Sequence, residues 1–338
     1  MKEPNTVLVT GGAGYVGAVL VPKLLAAGHK VKVLDLYLFG DDVLQAVADH
    51  PNLEQIKGDI RERSDLNKAV RGCDAIIHLA CISNDPSFDL DPELGKTINY
   101  DAFFELLGAA KEHGVRRFVY ASSSSVYGVK EEDNVTEDLP LEPLTDYSKY
   151  KALCEDALLD AQEPGFDVLI LRPATVCGYS PRMRLDLAVN ILTNHAVNRR
   201  RITVFGGSQK RPNIHIEDIT DLYVDVLSRP AEQISGETFN VGCENHTISE
   251  IAEMVKQIVE EEMPGEGPVE VEATPTDDNR SYHVSSQRIA DKLGFVPKRS
   301  VENAVREIVR AFRENQLPNS LEDSRYFNID TMKMFTSD

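Results

Sequence analysis

A phenol and an ammonium stand four residues apart in Tyr147-Ser148-Lys149-Tyr150-Lys151. Asp146 before the pair and Ala157-Leu158-Leu159 after it predict a helix, and on a helix residues at this spacing share a face. A tyrosine held beside a lysine can act as an acid or base near neutral pH. Moving a phenol from a pKa of about 10 to roughly 7 takes on the order of 4 kcal/mol of preferential phenolate stabilisation, which neighbouring cations can supply. By itself the spacing more often marks a solvated helix face, so its meaning depends on the elements around it.

A second group of residues suits a dinucleotide. The β-branched run Thr6-Val7-Leu8-Val9-Thr10 leads into Gly11-Gly12-Ala13-Gly14-Tyr15-Val16-Gly17 and then a helical pattern through Val19, Leu20, Leu24 and Leu25. Such glycines let the chain turn tightly and let a pyrophosphate approach main-chain N–H groups at a helix N-terminus. Gly11, Gly14, Tyr15, Val16 and Gly17 are therefore expected to meet a cofactor. Val31-Lys32-Val33-Leu34-Asp35 is the next strand. A carboxylate at its tip would accept the adenosine ribose hydroxyls and repel a 2′-phosphate, which selects NAD over NADP. Asp59 is placed to touch the adenine edge together with Ile60, and Leu79 and Ala80 would line the adenosine pocket. Asn99 is a further cofactor candidate.

A third group is the serine run Ser122-Ser123-Ser124-Ser125 before Val126-Tyr127-Gly128, at the carboxyl end of a strand over Arg117–Ala121. Ligands of open parallel sheets bind at that edge, where a serine can hydrogen-bond a substrate hydroxyl. Serines also satisfy loop backbone by themselves.

Behind these residues the pattern alternates strand and helix: strands at 53–57, 75–79, 117–121 and 166–172, helices at 64–70 and 97–113. Short strands apolar on both faces, separated by helices, specify a Rossmann-type, doubly wound parallel α/β sheet. After Pro173 the rhythm breaks into a smaller C-terminal α/β substrate lobe. The expected division is a cofactor domain over 1–172, to which 213–242 returns, an interleaved lobe over 173–315 and a tail over 316–338. Tyr326-Phe327 and Met332 to Phe335 suggest that this tail docks on the body or on a second subunit.

Composition narrows the classes. A hydrophobic fraction of 42% over 338 residues supports a large core rather than disorder. The formal charge of -19 opposes general affinity for nucleic acid or an anionic membrane. No apolar run reaches the length of a membrane span, and Met1 to Val9 lacks the pattern of a signal peptide. The cysteines Cys73, Cys81, Cys154, Cys177 and Cys243 lack metal-ligand spacing and read as reduced core thiols of a cytoplasmic protein that needs no metal. His78 and His215, each in an apolar strand, read as packing residues.

Taken together, the glycine triplet, the acid after the second strand, the serine run before Val126-Tyr127-Gly128, Tyr147 and Lys151, and Leu171-Arg172-Pro173 resemble the extended short-chain dehydrogenase/reductases. Within them the chain is similar to the UDP-glucose 4-epimerase-like branch of nucleotide-sugar epimerases and dehydratases, from about residue 5 to residue 312. The resemblance implies that Tyr147 is the catalytic acid/base, that Lys151 binds the nicotinamide ribose and lowers the Tyr147 pKa, and that Ser123 is the catalytic hydroxyl. It implies NAD as cofactor, a nucleotide diphosphate sugar as substrate and a homodimer formed through two helices, one bearing Tyr147. Dehydratases of the family carry an Asp-Glu pair where Ser124 and Ser125 stand, and neutral hydroxyls are poor substitutes for it. Thr175 occupies a place that 4-epimerases usually give to Asn. The arginine of the usual Arg-Pro-Gly-Asp stretch is missing from Pro275-Thr276-Asp277-Asp278, with Arg280 nearby. Arg211 matches the family's diphosphate arginine, and Arg182 and Arg184 are further cations. Ser123, Ser124, Thr175, Arg182, Arg211 and Arg280 are thus the expected substrate residues. The implied reaction is NAD-dependent epimerisation at the sugar's fourth carbon. An oxidoreductase, decarboxylase or dehydratase of the same family, or a non-catalytic dinucleotide-binding protein, are the alternatives.

Overall fold

Alternate side chains of each central strand enter opposite apolar layers, and this fixes the architecture. The computed structural model describes residues 5–130, 132, 134–276 and 283–337. The chain begins with β1 (Thr6–Thr10), α1 (Gly17–Ala26), β2 (Lys30–Asp35), β3 (Leu53–Lys57), α2 (Arg63–Val70) and β4 (Ala75–His78). Two short helices, α3 (Asp85–Phe88) and α4 (Pro92–Lys96), precede α5 (Ala102–Glu112), β5 (Arg117–Ala121), α6 (Asp146–Asp160) and β6 (Asp167–Pro173). Then come β7 (Thr175–Cys177), α7 (Ala188–Arg199), β8 (Arg201–Phe205), β9 (Lys210–His215), α8 (Ile216–Ser228), α9 (Ala231–Ile234), β10 (Glu237–Val241) and β11 (Glu244–Thr247). The chain closes with α10 (Ile248–Glu262), β12 (Glu270–Thr274), α11 (Gln287–Leu293), α12 (Val301–Arg313) and α13 (Asn328–Ser337).

Seven strands form a parallel sheet in the order β10-β6-β5-β4-β1-β2-β3. Val7, Val9, Val31, Val33, Ile77, Val119, Leu169 and Leu171 enter one buried layer with Leu20 and Leu24 of α1 and Leu222 and Val226 of α8. Leu8, Leu34, Ile56, Ile76, Phe118, Val168 and Ile170 enter the other, with Leu66 of α2, Phe103 and Leu106 of α5, and Leu158 of α6. A strand with helices over both faces is apolar on both, which is why β1, β4 and the middle of β6 read as near-continuous apolar runs, while β3 at the sheet edge keeps exposed polar positions. The expected doubly wound α/β fold is the one found. Strand order reverses between β1 and β4, and the crevice at a reversal is where such sheets take ligands.

The smaller lobe has its own core, in which Val189 and Leu192 of α7, Ile251 and Val255 of α10, and Val301 and Val305 of α12 meet Ile202 and Val204 of β8. Its strands form a β8–β12 pair and a β11-β9-β7 sheet. β10 leaves the lobe to pair with β6 of the large sheet. β7 and β11, at three and four residues, are too short for a periodic signal, and the sequence does not announce them. The expected helix over 97–113 is instead a π-helical segment, Thr97–Asp101, followed by α5. Among the described residues no helix is long and apolar enough to cross a membrane. The tail docks on the body: Leu185 N–H donates to Tyr326 O at 2.9 Å, Ser320 Oγ bonds Asn194 Oδ1 at 2.8 Å, and Met332 is buried.

Candidate active site

Helix α6 starts at Thr145 with a reciprocal cap. Ser148 N–H donates to Thr145 Oγ1 at 3.3 Å and Thr145 N–H donates to Ser148 Oγ at 3.2 Å. This fixed start aims Tyr147, Lys151 and Glu155, one per turn, along one face toward the ends of β5 and β6. Glu155 is buried beneath Arg172, accepting from its Nε at 3.1 Å and its Nη2 at 2.5 Å, and it also accepts from Ser122 Oγ. Arg172 Nη1 donates to Tyr127 Oη at 2.7 Å, and that hydroxyl donates to Asn240 Oδ1 at 2.7 Å. The network fastens the helix to β5, β6 and β10 below the reactive residues.

Above it opens a cavity of about 570 Å³ lined by Ser123, Ser124, Tyr147, Lys151 and Thr175. The Tyr147 hydroxyl is hydrogen-bonded to Ser123, whose Oγ lies 2.9 Å from Ser125 Oγ. Although Tyr147 is part-exposed to the cavity, its surroundings leave the hydroxyl poorly hydrated and push the phenol's pKa well above its ordinary value. Cys81 and Asp85 act in the same direction; Arg184 and the Ser123 bond oppose it. Lys151 lines the same cavity one helical turn from Tyr147. Its Nζ donates to Ala121 O at 2.7 Å and stands 4.8 Å from the Tyr120 ring centroid and 6.0 Å from that of Tyr147.

The same cavity runs to the glycine turn. Gly11, Gly14, Tyr15, Val16, Gly17, Asp35, Asp59, Ile60, Leu79 and Ala80 all line it. Gly11 has φ +72° and a Cβ there would lie 2.7 Å from Ala80 N; at Gly17 a Cβ would lie 2.5 Å from Gly12 O. The chain can pack against itself this tightly in the turn only with glycine. Asp35 accepts from Ala13 N at 2.9 Å and Tyr37 N at 2.8 Å, and burial raises its pKa against those two bonds. Burial would raise Asp59 too, but the Arg61 guanidinium, 2.5 Å away, holds that carboxyl below its ordinary range. Asn99 does not line the cavity. Its amide accepts from Ile82 N at 2.8 Å and donates to Ile82 O at 2.9 Å, so it shapes the segment that follows β4.

Arg182, Arg184 and Arg211 also line the cavity. Arg184 pairs with Asp186 at 2.9 Å and donates to Ser83 Oγ at 3.1 Å. Arg211 projects from β9, and its Nη1 donates to Lys210 O at 3.0 Å. Arg182 lies beside Asp35 and over the Phe39 ring, 3.5 Å from its centroid, at the glycine-turn end of the cavity. Arg280 lies outside the described residues. His78 is a packing residue as expected, bonded to Thr10 Oγ1 at 2.7 Å, with burial lowering its pKa to about 3. His215 caps α8 through Glu217 N and lies 3.2 Å from Glu307, and it does not line the cavity. The thiols are only partly core: Cys81 is half-buried on the cavity wall and Cys243 is exposed.

The profile of the NAD dependent epimerase/dehydratase family matches residues 7–242. The chain belongs to that family. A dTDP-glucose 4,6-dehydratase of Streptomyces griseus is 32% identical over 298 residues, which cover 86% of this chain and 88% of that protein. The structure of the Thermus thermophilus UDP-glucose 4-epimerase in complex with NAD superposes with a TM-score of 0.79 at 25% identity, covering 91% of this chain and 99% of that one. A UDP-N-acetylglucosamine 4-epimerase of Methanobrevibacter ruminantium, in complex with UDP-N-acetylmuramic acid, gives 0.82 at 26% identity, covering 93% and 100%. NAD is the cofactor of this family, and the residues fit it: a tight glycine turn on the cavity wall that admits no Cβ at Gly11 or Gly17, a helix N-terminus behind it and a carboxylate at the tip of β2.

Several cavity residues escaped the sequence reading. Ser83 and Asn84 enter through the turn after β4, where Asn84 adopts φ 87° and caps α3 by accepting from Ser87 N at 2.9 Å. Asn-Asp-Pro at 84–86 is a turn-and-cap signal that could have marked the site. Asn328, Met332 and Phe335 reach the cavity from the tail, and only the spacing of Met332 and Phe335 hinted at a docked helix.

Proposed function

We propose that this chain is a nucleotide-sugar epimerase that inverts the sugar's fourth carbon by transient oxidation. The observation that carries this reading is the pair of serines, Ser124 and Ser125, at the place of the dehydratases' two acids, in a cavity whose carboxylates are already engaged. Asp35 is held by backbone N–H groups, Asp59 by Arg61, Asp186 by Arg184, and Asp85 accepts from Thr145 Oγ1 at 2.7 Å. Eliminating water needs a neutral acid beside the leaving hydroxyl, and epimerisation does not.

When bound, oxidised NAD supplies a positive charge and a hydride acceptor that later gives the hydride back. Tyr147 Oη takes the proton of the sugar hydroxyl and returns it after the ring has turned over. Ser123 holds that hydroxyl in line with Tyr147. Burial opposes ionisation of the Tyr147 phenol, and nearby positive charge favours it. Arg184 is the chain's own cation acting on the phenol, and Lys151 is fixed by Ala121 O at the nicotinamide end. Arg211 supplies positive charge for the substrate's diphosphate, and Thr175 faces the sugar. Exposed Phe104 on α5 and Leu153 on α6 support a homodimer through these two helices. Incubation with UDP-, dTDP-, GDP- and CDP-sugars, followed by separation of isomers, tests the proposal. A product of unchanged mass supports it, and loss of water or carbon dioxide from the sugar overturns it.

A further inference from the structure

We infer that Arg182 is a ligand of the cofactor's pyrophosphate, contributed by the substrate lobe and held in place by Asn328 of the C-terminal tail. The inference rests on NAD occupying this cavity and adds a second wall to its phosphate site.

The loop between β7 and α7 is tied to the glycine turn. Ser180 Oγ donates to Tyr15 O at 2.8 Å, and Tyr15 Oη donates to Gly178 O at 2.7 Å. Arg182, two residues beyond Ser180, is thereby held on the wall of the cavity that the glycine turn also lines, stacked on Phe39 and within the field of Asp35 and Tyr15. It is only 4% exposed, yet Nε and Nη1 have no partner among the described residues. Nη2 donates to Asn328 Oδ1.

The neighbouring carboxylates do not take up the free nitrogens. Asp35 turns its oxygens to Ala13 N and Tyr37 N, and Asp186 turns its own to Arg184 and Asn328 N. Buried cationic donors without acceptors are costly unless a ligand completes them. A ligand matching a guanidinium here must be anionic, rich in oxygen and adjacent to the glycine turn, which describes a pyrophosphate. Burial and the nearby Arg184 lower the Arg182 pKa to about 9, as for a cation lacking its anion.

Asn328 makes the tail part of this site. Besides accepting from Arg182, it donates from Nδ2 to Ser83 Oγ at 2.8 Å and from N to Asp186 Oδ2 at 3.0 Å. One tail residue thus joins the loop after β4 to the loop carrying Arg182. Tail docking and cofactor retention become a single event, which suits a reaction that returns its hydride and has no need to release NAD.

The test is calorimetric binding of NAD, ADP-ribose, adenosine and UDP to the full chain and to Arg182→Met, Arg182→Lys and Asn328→Ala, with thermal melting of each. Arg182→Met should weaken NAD and ADP-ribose about 10- to 100-fold, the range for lost hydrogen bonds to a charged group, and leave adenosine and UDP unchanged. Its melting temperature without ligand should hold or rise, since an unpaired buried charge is gone, while the shift produced by NAD shrinks. Arg182→Lys should fall between, and Asn328→Ala should repeat the pattern more weakly. Loss of UDP affinity with NAD unchanged, equal losses for NAD and adenosine, or no loss at all would each overturn the assignment. A wild-type chain that binds adenosine and UDP but neither NAD nor ADP-ribose would overturn the cofactor reading, and this inference with it.

Discussion

Replacing Arg172 by Met removes the centre of the network beneath α6. Glu155 is 1% exposed and Arg172 6%, and their contact comprises bonds of 2.5 and 3.1 Å plus the link to Tyr127 at 2.7 Å. Burial works against the guanidinium's charge, yet the Glu155 bonds outweigh it and raise the Arg172 pKa above its ordinary value. Arg172→Met therefore leaves an uncompensated buried carboxylate, which costs on the order of 3–5 kcal/mol. At about 2 °C per kcal/mol for a chain of this size, the melting temperature should fall by roughly 6–10 °C. The double variant Arg172→Met, Glu155→Met removes both charges and should recover most of that loss. Thermal melting of Arg172→Met, Glu155→Met and the double closes the cycle. A single variant costing less than about 1 kcal/mol, or a double as unstable as the sum of the singles, would refute the reasoning.

Tyr147→Phe should lower turnover of any accepted nucleotide sugar at least about 100-fold while the chain keeps NAD through gel filtration; near-normal turnover would remove Tyr147 as acid/base. Gly17→Ala places a Cβ 2.5 Å from Gly12 O, so the turn must open and NAD affinity should drop about tenfold or more, and titration showing unchanged affinity would contradict the cradle. His78 gives a pH prediction. Burial, followed by the Lys151 charge, depresses its folded pKa to about 3 from 6.5. Its stabilising effect is therefore present above pH 6.5 and is lost progressively toward pH 3, by roughly 1 kcal/mol per pH unit. NMR titration should find the His78 ring neutral at pH 5, and a protonated ring in the folded chain at that pH would contradict it.

The legible parts of this molecule are those whose cause is local. The glycine turn and Asp35 could be read because strand, turn and helix follow one another within a single βαβ unit. Ser123 and Tyr147 could be joined because β5 and the helix before β6 meet at one sheet edge. What could not be read depends on contacts between distant residues. Arg182 reads from the sequence as a substrate-binding cation, and its place beside the glycine turn is hidden because it is set by Ser180 on Tyr15 and by Asn328, 146 residues further along the chain. Asn99 looked like a cofactor ligand, but a π-helical segment turns its amide onto Ile82. Lys151 lies on the expected face of α6, yet the carbonyl of Ala121 competes for its ammonium, and sequence spacing does not register a backbone acceptor.

In the proposed reaction the carbon being inverted is oxidised and then reduced by its own hydride, with Tyr147 moving the proton. A nucleotide sugar carrying deuterium on its fourth carbon tests this most directly, with the epimer recovered from ordinary water and examined by NMR. The deuterium should remain on that carbon in the inverted product, and Tyr147→Phe should yield almost none of that product. Exchange of the label with solvent, or a product that has lost water, would contradict it.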